Sequence, residues 1–173
     1  MRRSALLVCL LLNVPILAAP GRVLVNHSSS LPLGAYLLRS GLPRRGLPVA
    51  YCLPLAFTHF GLRRGYLRPG RCPAGTQPIL KYLAALPGDC VDVDSRGVVR
   101  FDRFGGSARA LPSDSRGRPI WAYPPGRYRV PPGSVWLVGT HPRSWDSRYY
   151  GPVPAHGVLG GLVGPVEPLV VIP

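Results

Sequence analysis

Short apolar runs separated by turn-forming residues recur along most of the chain, at 35–38, 49–55, 79–86, 91–93, 98–101, 128–130 and 135–138. Brief runs bounded by Gly, Pro, Asp and Ser predict β-strands. No stretch carries an amphipathic helical repeat of useful length. Apolar positions on either side of Ser95, Arg96 and Gly97 alternate between 91 and 101, which predicts a hairpin. The polar, Gly-, Ser- and Arg-rich stretch 105–119 reads as a long surface excursion. The apolar tail 158–173 predicts a final edge strand, and its Pro and Gly content opposes a membrane span there. The expectation is an all-β domain, mainly antiparallel.

The N-terminal residues follow a different pattern. Arg2 and Arg3 precede an apolar stretch at 5–19, closed by Pro20, Gly21 and Arg22. A charged end followed by an apolar run of this length is a targeting segment, somewhat short for a comfortable transmembrane helix. Leu17 and Ala19 meet the small-residue cleavage rule only in part, and Pro20 disfavours a cut. A retained signal anchor over 1–20 is therefore expected, with a domain over 21–173. Positive charge on the short N-terminal side would hold that end in the cytoplasm and send the remainder across the membrane.

Composition narrows the classes. Gly (21) and Pro (22) make up about a quarter of the 173 residues, which raises disorder as a reading. The 46% of hydrophobic residues, and the scattering of Gly and Pro between apolar runs, oppose it. A formal net charge of +14 suits nucleic acid or an anionic membrane surface. Yet no basic block exceeds two residues, and aromatics do not interleave with arginine as a base-stacking platform would. A solvated basic surface is expected, and nucleic acid is not.

Among the 21 Lys and Arg residues, Lys81 is the one lysine. Arginine does not lose its proton in a protein, whereas a desolvated lysine does, so Lys81 is a candidate catalytic amine; chance survival is the alternative. The four cysteines, Cys9, Cys52, Cys72 and Cys90, form no CxxC pair, which opposes zinc and thioredoxin-type sites; no metal or cofactor is expected. In an oxidising compartment Cys52 and Cys72 are the candidate bridge, leaving Cys90 as a buried thiol.

Three segments carry candidate chemistry: SSSLPLGAY from Ser28, ILKYLAALPGDCV from Ile79 and VGTHPRSWDSRYYGPVP from Val138. Taken singly, each reads as an ordinary turn or solvated loop. In this order they resemble the serine/lysine signal peptidases, and more closely their conjugative-transfer TraF branch. Ser30, Leu31 and Pro32, with Gly34 and Tyr36, resemble the nucleophile box just past a membrane anchor. Lys81, Ala85, Gly88 and Asp89 fill the box of the base. Gly139, Ser144, Asp146, Ser147, Arg148, Gly151, Pro152 and Val153 fit the third box, with Thr140 and His141 where Asp-Asn is commoner, which puts the local turn contacts in question.

The resemblance implies a signal-peptidase-like β fold and a serine endopeptidase of the bacterial inner membrane, facing the periplasm. Its partners would be the membrane and a precursor protein with small residues at the cut, either a conjugative pilin or another transfer-apparatus precursor. A general leader peptidase of wide range and a non-catalytic envelope protein of the same fold are the alternatives. The resemblance makes Ser30 the nucleophile and Lys81 the general base. It gives oxyanion stabilisation to the Ser30 N–H and the Ser28 hydroxyl, orientation of the amine to Ser144, and a supporting salt bridge to Asp146 and Arg148. Tyr149 and Tyr150 read as packing residues. A Ser-His-Asp site built from His27, His59, His141 or His156 with Asp146 competes, without a GxSxG elbow to support it.

A serine hydroxyl attacks only when a neighbour takes its proton, so a lysine in that role must be neutral. An ordinary lysine, near pKa 10.4, is neutral in about one molecule in two thousand at pH 7. Ile79, Leu80, Leu83 and Ala84 flank Lys81 and would wrap both faces of a strand in apolar surface, so a buried Lys81 with a strongly lowered pKa is expected.

Overall fold

The computed structural model describes residues 23–41 and 44–165. Among the described residues eleven strands form two antiparallel sheets. The larger has the order β1 (Val23–Asn26), β2 (Gly34–Arg39), β11 (Val158–Val163), β3 (Pro48–Tyr51), β4 (Ile79–Ala85), β9 (Ser134–Val138) and β10 (Val153–Pro154). The smaller has the order β7 (Gly106–Arg109), β6 (Val98–Phe101), β5 (Cys90–Val93) and β8 (Gly126–Arg129). Two short helices, α1 (Leu55–Arg64) and α2 (Ser147–Tyr150), and a 3-10 turn at Ala155–Gly157 complete the described elements.

Alternation along β4 sets the layers. Leu80, Tyr82 and Ala84 point into a core shared with the smaller sheet, among Trp136, Val91, Val99 and Phe101. Leu83 points the other way, into a core with Val49, Tyr51, Leu137 and Tyr150, against which Phe57 and Leu62 of α1 pack. With both faces covered, β4 is buried almost throughout, and a side chain on it has little water around it whichever way it points. The paired register Val49↔Lys81 puts Lys81 in the middle of the sheet.

Helix α1 was not foreseen in the sequence. Its buried positions are Thr58 and Gly61 rather than aliphatic residues, so the apolar stripe that marks a helix is weak. It ends at Gly65, whose φ of 74° is the left-handed cap that glycine adopts freely, with Tyr66 N–H bonded back to Gly61 and Gly65 N–H to Leu62. Arg63 and Arg64 complement the dipole of the last turn. A side chain at Gly61 would strike Leu67 and Trp145, so the glycine is what lets α1 close against the third box. The run 49–55 accordingly divides: its strand stops at Tyr51 and Leu55 opens the helix.

Three other expectations are corrected. The tail is no edge: β11 lies between β2 and β3, and the outer strands of its sheet are β1 and β10. The stretch 105–119 contains β7 and a bridge between Ser113 and Pro119, because its backbone groups find ladder partners in β6 and across the loop. Cys90 is half-buried rather than buried, since it stands at the start of β5, outside the core that Val91 enters. The hairpin at 91–101 is present as β5–β6. Cys52 and Cys72 form a disulfide that closes the loop carrying α1. The anchor at 1–20 and Cys9 lie outside the described residues, and among those described no helix is long and apolar enough to cross a membrane.

Candidate active site

Ser30 sits in the loop between β1 and β2, where the hairpin leaves seven residues without ladder partners. The loop is tied to the end of β9: Thr140 N–H donates to the Ser30 carbonyl at 3.0 Å and the Thr140 hydroxyl at 3.3 Å. Because β9 lies beside β4, this tie brings Ser30 alongside Lys81. The substitution of Thr140 and His141 in the third box thus keeps the turn supplied with contacts, His141 Nδ1 accepting from Arg143 N–H.

Lys81 Nζ lies 2.5 Å from Ser30 Oγ and 2.6 Å from Ser144 Oγ, and the two hydroxyls are 3.1 Å apart. All three side chains are buried, Ser30 7% exposed and Lys81 4%. Burial lowers the Lys81 pKa to about 8; Asp146 opposes the shift and Arg148 adds to it. The amine is then neutral in about a tenth of molecules at pH 7, some two hundred times the ordinary fraction. Charged, it donates to both hydroxyls; neutral, it can accept the Ser30 proton while still donating to Ser144.

The third box is held by an ion pair that is itself fully desolvated. Arg148 Nε and Nη2 meet Asp146 Oδ1 and Oδ2 at 2.8 and 2.7 Å. The guanidinium also donates to the carbonyls of Arg109, Pro142, His141 and Ser144. Burial pushes the Asp146 carboxyl up, but the Arg148 charge and hydrogen bonds, with Lys81 and the Gly139 N–H, outweigh it and hold the group below the usual carboxylate range. Asp146 also accepts from Gly139 N–H, and Ser147 Oγ accepts from Leu137 N–H, stitching the box to β9. Gly139 has no room for a side chain: a Cβ would strike Ser144 and Ser30. The Gly88-Asp89 turn has its own partner in Arg45, which grips Asp89 in a bidentate pair at 2.8 and 2.7 Å.

The remaining candidates divide. Ser28 is exposed, and its hydroxyl donates to Asn26 Oδ1 at 3.0 Å. Tyr150 packs against Phe57 and Trp145, and Tyr149 Oη accepts from Leu111 N–H. No histidine is among the hydrogen-bond partners found for Ser30 in the described residues; His59 and His156 are exposed on α1 and the 3-10 turn. A cleft of about 320 Å³ opens beside Ser30 and Lys81, walled by residues 25–30, 65–68, 77–81 and 143–145. Sequence reasoning missed Asn26, Thr140 as a tie, and Arg45. Asn26 had one available signal, a polar residue ending an apolar run four positions before the candidate nucleophile.

Residues 4–166 match the family described as signal peptidase, peptidase S26. A conjugal transfer protein TraF of Agrobacterium fabrum is 39% identical over 140 residues, covering 79% of this chain and 77% of its own. A plasmid transfer protein TraF of Escherichia coli is 30% identical over 131 residues, covering 75% and 74%. Among solved structures, a signal peptidase I of Enterococcus faecalis aligns with 72% of this chain and 100% of its own, at 23% identity and a TM-score of 0.39. A match over nearly the whole chain, with relatives of similar length named for conjugal transfer, places this protein in the signal peptidase family, peptidase S26.

Proposed function

We propose that the chain is a membrane-anchored serine endopeptidase that removes signal or pro-peptides from exported precursors, its substrate being a conjugative pilin or another transfer-apparatus precursor. The observation that carries this reading is the buried Lys81 amine 2.5 Å from the Ser30 hydroxyl. In the reaction, neutral Lys81 takes the Ser30 proton as Oγ attacks the scissile carbonyl. The resulting ammonium returns that proton to the leaving amine, and the neutral amine then activates water against the acyl-enzyme. Ser144 holds the amine in line, and the Asp146–Arg148 pair holds Ser144. The Ser30 N–H and the Ser28 hydroxyl supply the oxyanion donors.

The substrate would lie extended in the cleft with small side chains at the cut. The enzyme would work at the bacterial inner membrane with its domain in the periplasm, where anionic headgroups attract a chain of formal charge +14. The names of the relatives support the substrate class. The test is co-expression of the full chain with a candidate pilin precursor and mass measurement of the product. Wild type should shorten the precursor, while Ser30→Ala and Lys81→Arg leave it whole. Processing that survives Ser30→Ala would refute the mechanism. Trimming of bulk preproteins alongside the pilin would make the chain a general leader peptidase.

A further inference from the structure

Asn26 ends β1 and is 5% exposed, so its amide must find partners inside the protein. It finds them all in the loop that carries Ser30. Asn26 Nδ2 donates to the carbonyls of Ser28 (2.8 Å), Leu31 (2.8 Å) and Pro32 (3.0 Å). Its Oδ1 accepts the Ser28 N–H and the Ser28 hydroxyl, each at 3.0 Å. The three carbonyls share the two hydrogens of Nδ2, and the two donors meet Oδ1, which fixes the orientation of the amide. One side chain therefore bridges the residues before and after Ser30.

The rest of the loop is secured in the same direction. The Ser30 carbonyl is held by Thr140, and the Pro32 carbonyl also accepts from Tyr36 Oη at 2.7 Å. The carbonyls of Ser28, Ser30, Leu31 and Pro32 are thus each held by a protein donor. Among the described residues no acceptor is found for the Ser30 N–H, which leaves it available at the cleft. The Ser30 N–H belongs to the peptide plane between Ser29 and Ser30, and the planes on either side of it are held through the Ser28 and Ser30 carbonyls, which confines it between two fixed neighbours.

Asn26 Oδ1 also sets where the Ser28 hydroxyl rests. Because that oxygen holds the Ser28 backbone N–H as well, the hydroxyl can turn away to meet a developing charge without leaving Oδ1 unpaired. We propose that Asn26 is a positioning residue for oxyanion stabilisation: it fixes the backbone on both sides of Ser30 and presents the Ser28 hydroxyl. This rests on the serine/lysine reading given above. Asn26 is 5% exposed at the cleft wall and spends its amide on Ser28 and the loop carbonyls, so its effect should fall on the rate of acyl transfer more than on substrate affinity.

The experiment follows acylation of the full chain by p-nitrophenyl acetate, read as p-nitrophenolate release with the Ser30→Ala rate subtracted, in Asn26→Ala, Ser28→Ala and the double variant. Each single change should slow acylation by about a hundredfold with KM within about threefold of wild type, as expected for losing one oxyanion donor. The double variant should be no more than about threefold slower than the worse single, because losing Asn26 already removes the placement of the Ser28 hydroxyl. If Asn26→Ala does not fold, Asn26→Asp keeps the volume and the acceptor for Ser28 but turns an oxygen on the three carbonyls, and it should show the same loss in rate. Losses that multiply in the double variant, a change in KM alone, or a wild-type rate in the Asn26 variants would overturn the inference while leaving Ser30 and Lys81 in place. A wild-type chain whose p-nitrophenolate release is no faster than that of Ser30→Ala would instead overturn the reading on which it rests.

Discussion

Replacing Lys81 by Met should inactivate the protein and, at neutral pH, stabilise it. The amine is buried on the central strand and its pKa is lowered to about 8 from an ordinary value near 10.4. At about 1.36 kcal/mol per unit, keeping the proton on the buried amine costs about 3 kcal/mol of folding stability. The sign follows from where the proton resides. Below about pH 8 both folded and unfolded chains hold it and the cost is present in full. Between about 8 and 10.4 only the unfolded chain holds it, so the stability of the wild type rises with pH, and above that span the cost is gone.

Met fills the same space without a charge, so Lys81→Met removes this dependence. The hydrogen bonds to Ser30 and Ser144 are lost at about 1 kcal/mol each, which offsets part of the gain. The pH-dependent part of the difference between the two proteins is free of that offset, and it should come to about 3 kcal/mol between about pH 7 and pH 10.4. Urea unfolding of both proteins at the two pH values measures it. A difference that stays constant across the span, or a variant that gains relative to wild type as pH rises, would refute the reasoning.

Asp146→Ala leaves the buried Arg148 charge uncompensated and should cost about 3–5 kcal/mol, read as a lowered urea midpoint. Reducing the Cys52–Cys72 bridge, or replacing both cysteines by Ser, releases a loop of sequence separation 20 and should cost about 3 kcal/mol by the same measurement. Ser144→Ala removes one of the two hydroxyls that orient the Lys81 amine, and should slow acylation by about ten- to a hundredfold with little change in KM.

The strands of the fold were legible because each is a short apolar run closed by turn residues, and β4 through β6 follow that rule closely. Helix α1 was not, since its closest packing is made by Gly61 and Thr58, residues that carry no hydrophobic signal. The interior place of β11 was hidden for a different reason: Gly160 and Gly161 weaken its pattern, and only the pairing with both β2 and β3 reveals two neighbours. At the site, Lys81 stood out by lysine count, and Ser30, Lys81, Ser144 and the Asp146–Arg148 pair through the resemblance of their three segments to the family's boxes. Asn26, Thr140 and Arg45 act through contacts set by tertiary placement. Asn26 folds back on its own loop, Thr140 reaches across to Ser30, 110 residues away, and Arg45 grips an acid 44 residues on.

In the proposed reaction the uncharged Lys81 amine takes the Ser30 proton, and the pH dependence of Ser30 acylation by p-nitrophenyl acetate tests this most directly. The rate should rise with a single ionisation near the Lys81 pKa of about 8 and then level off, and in Lys81→Arg it should be lower by about a thousandfold at every pH. A rate that climbs only as pH approaches about 10, where an unperturbed lysine titrates, or that survives in Lys81→Arg, would contradict it.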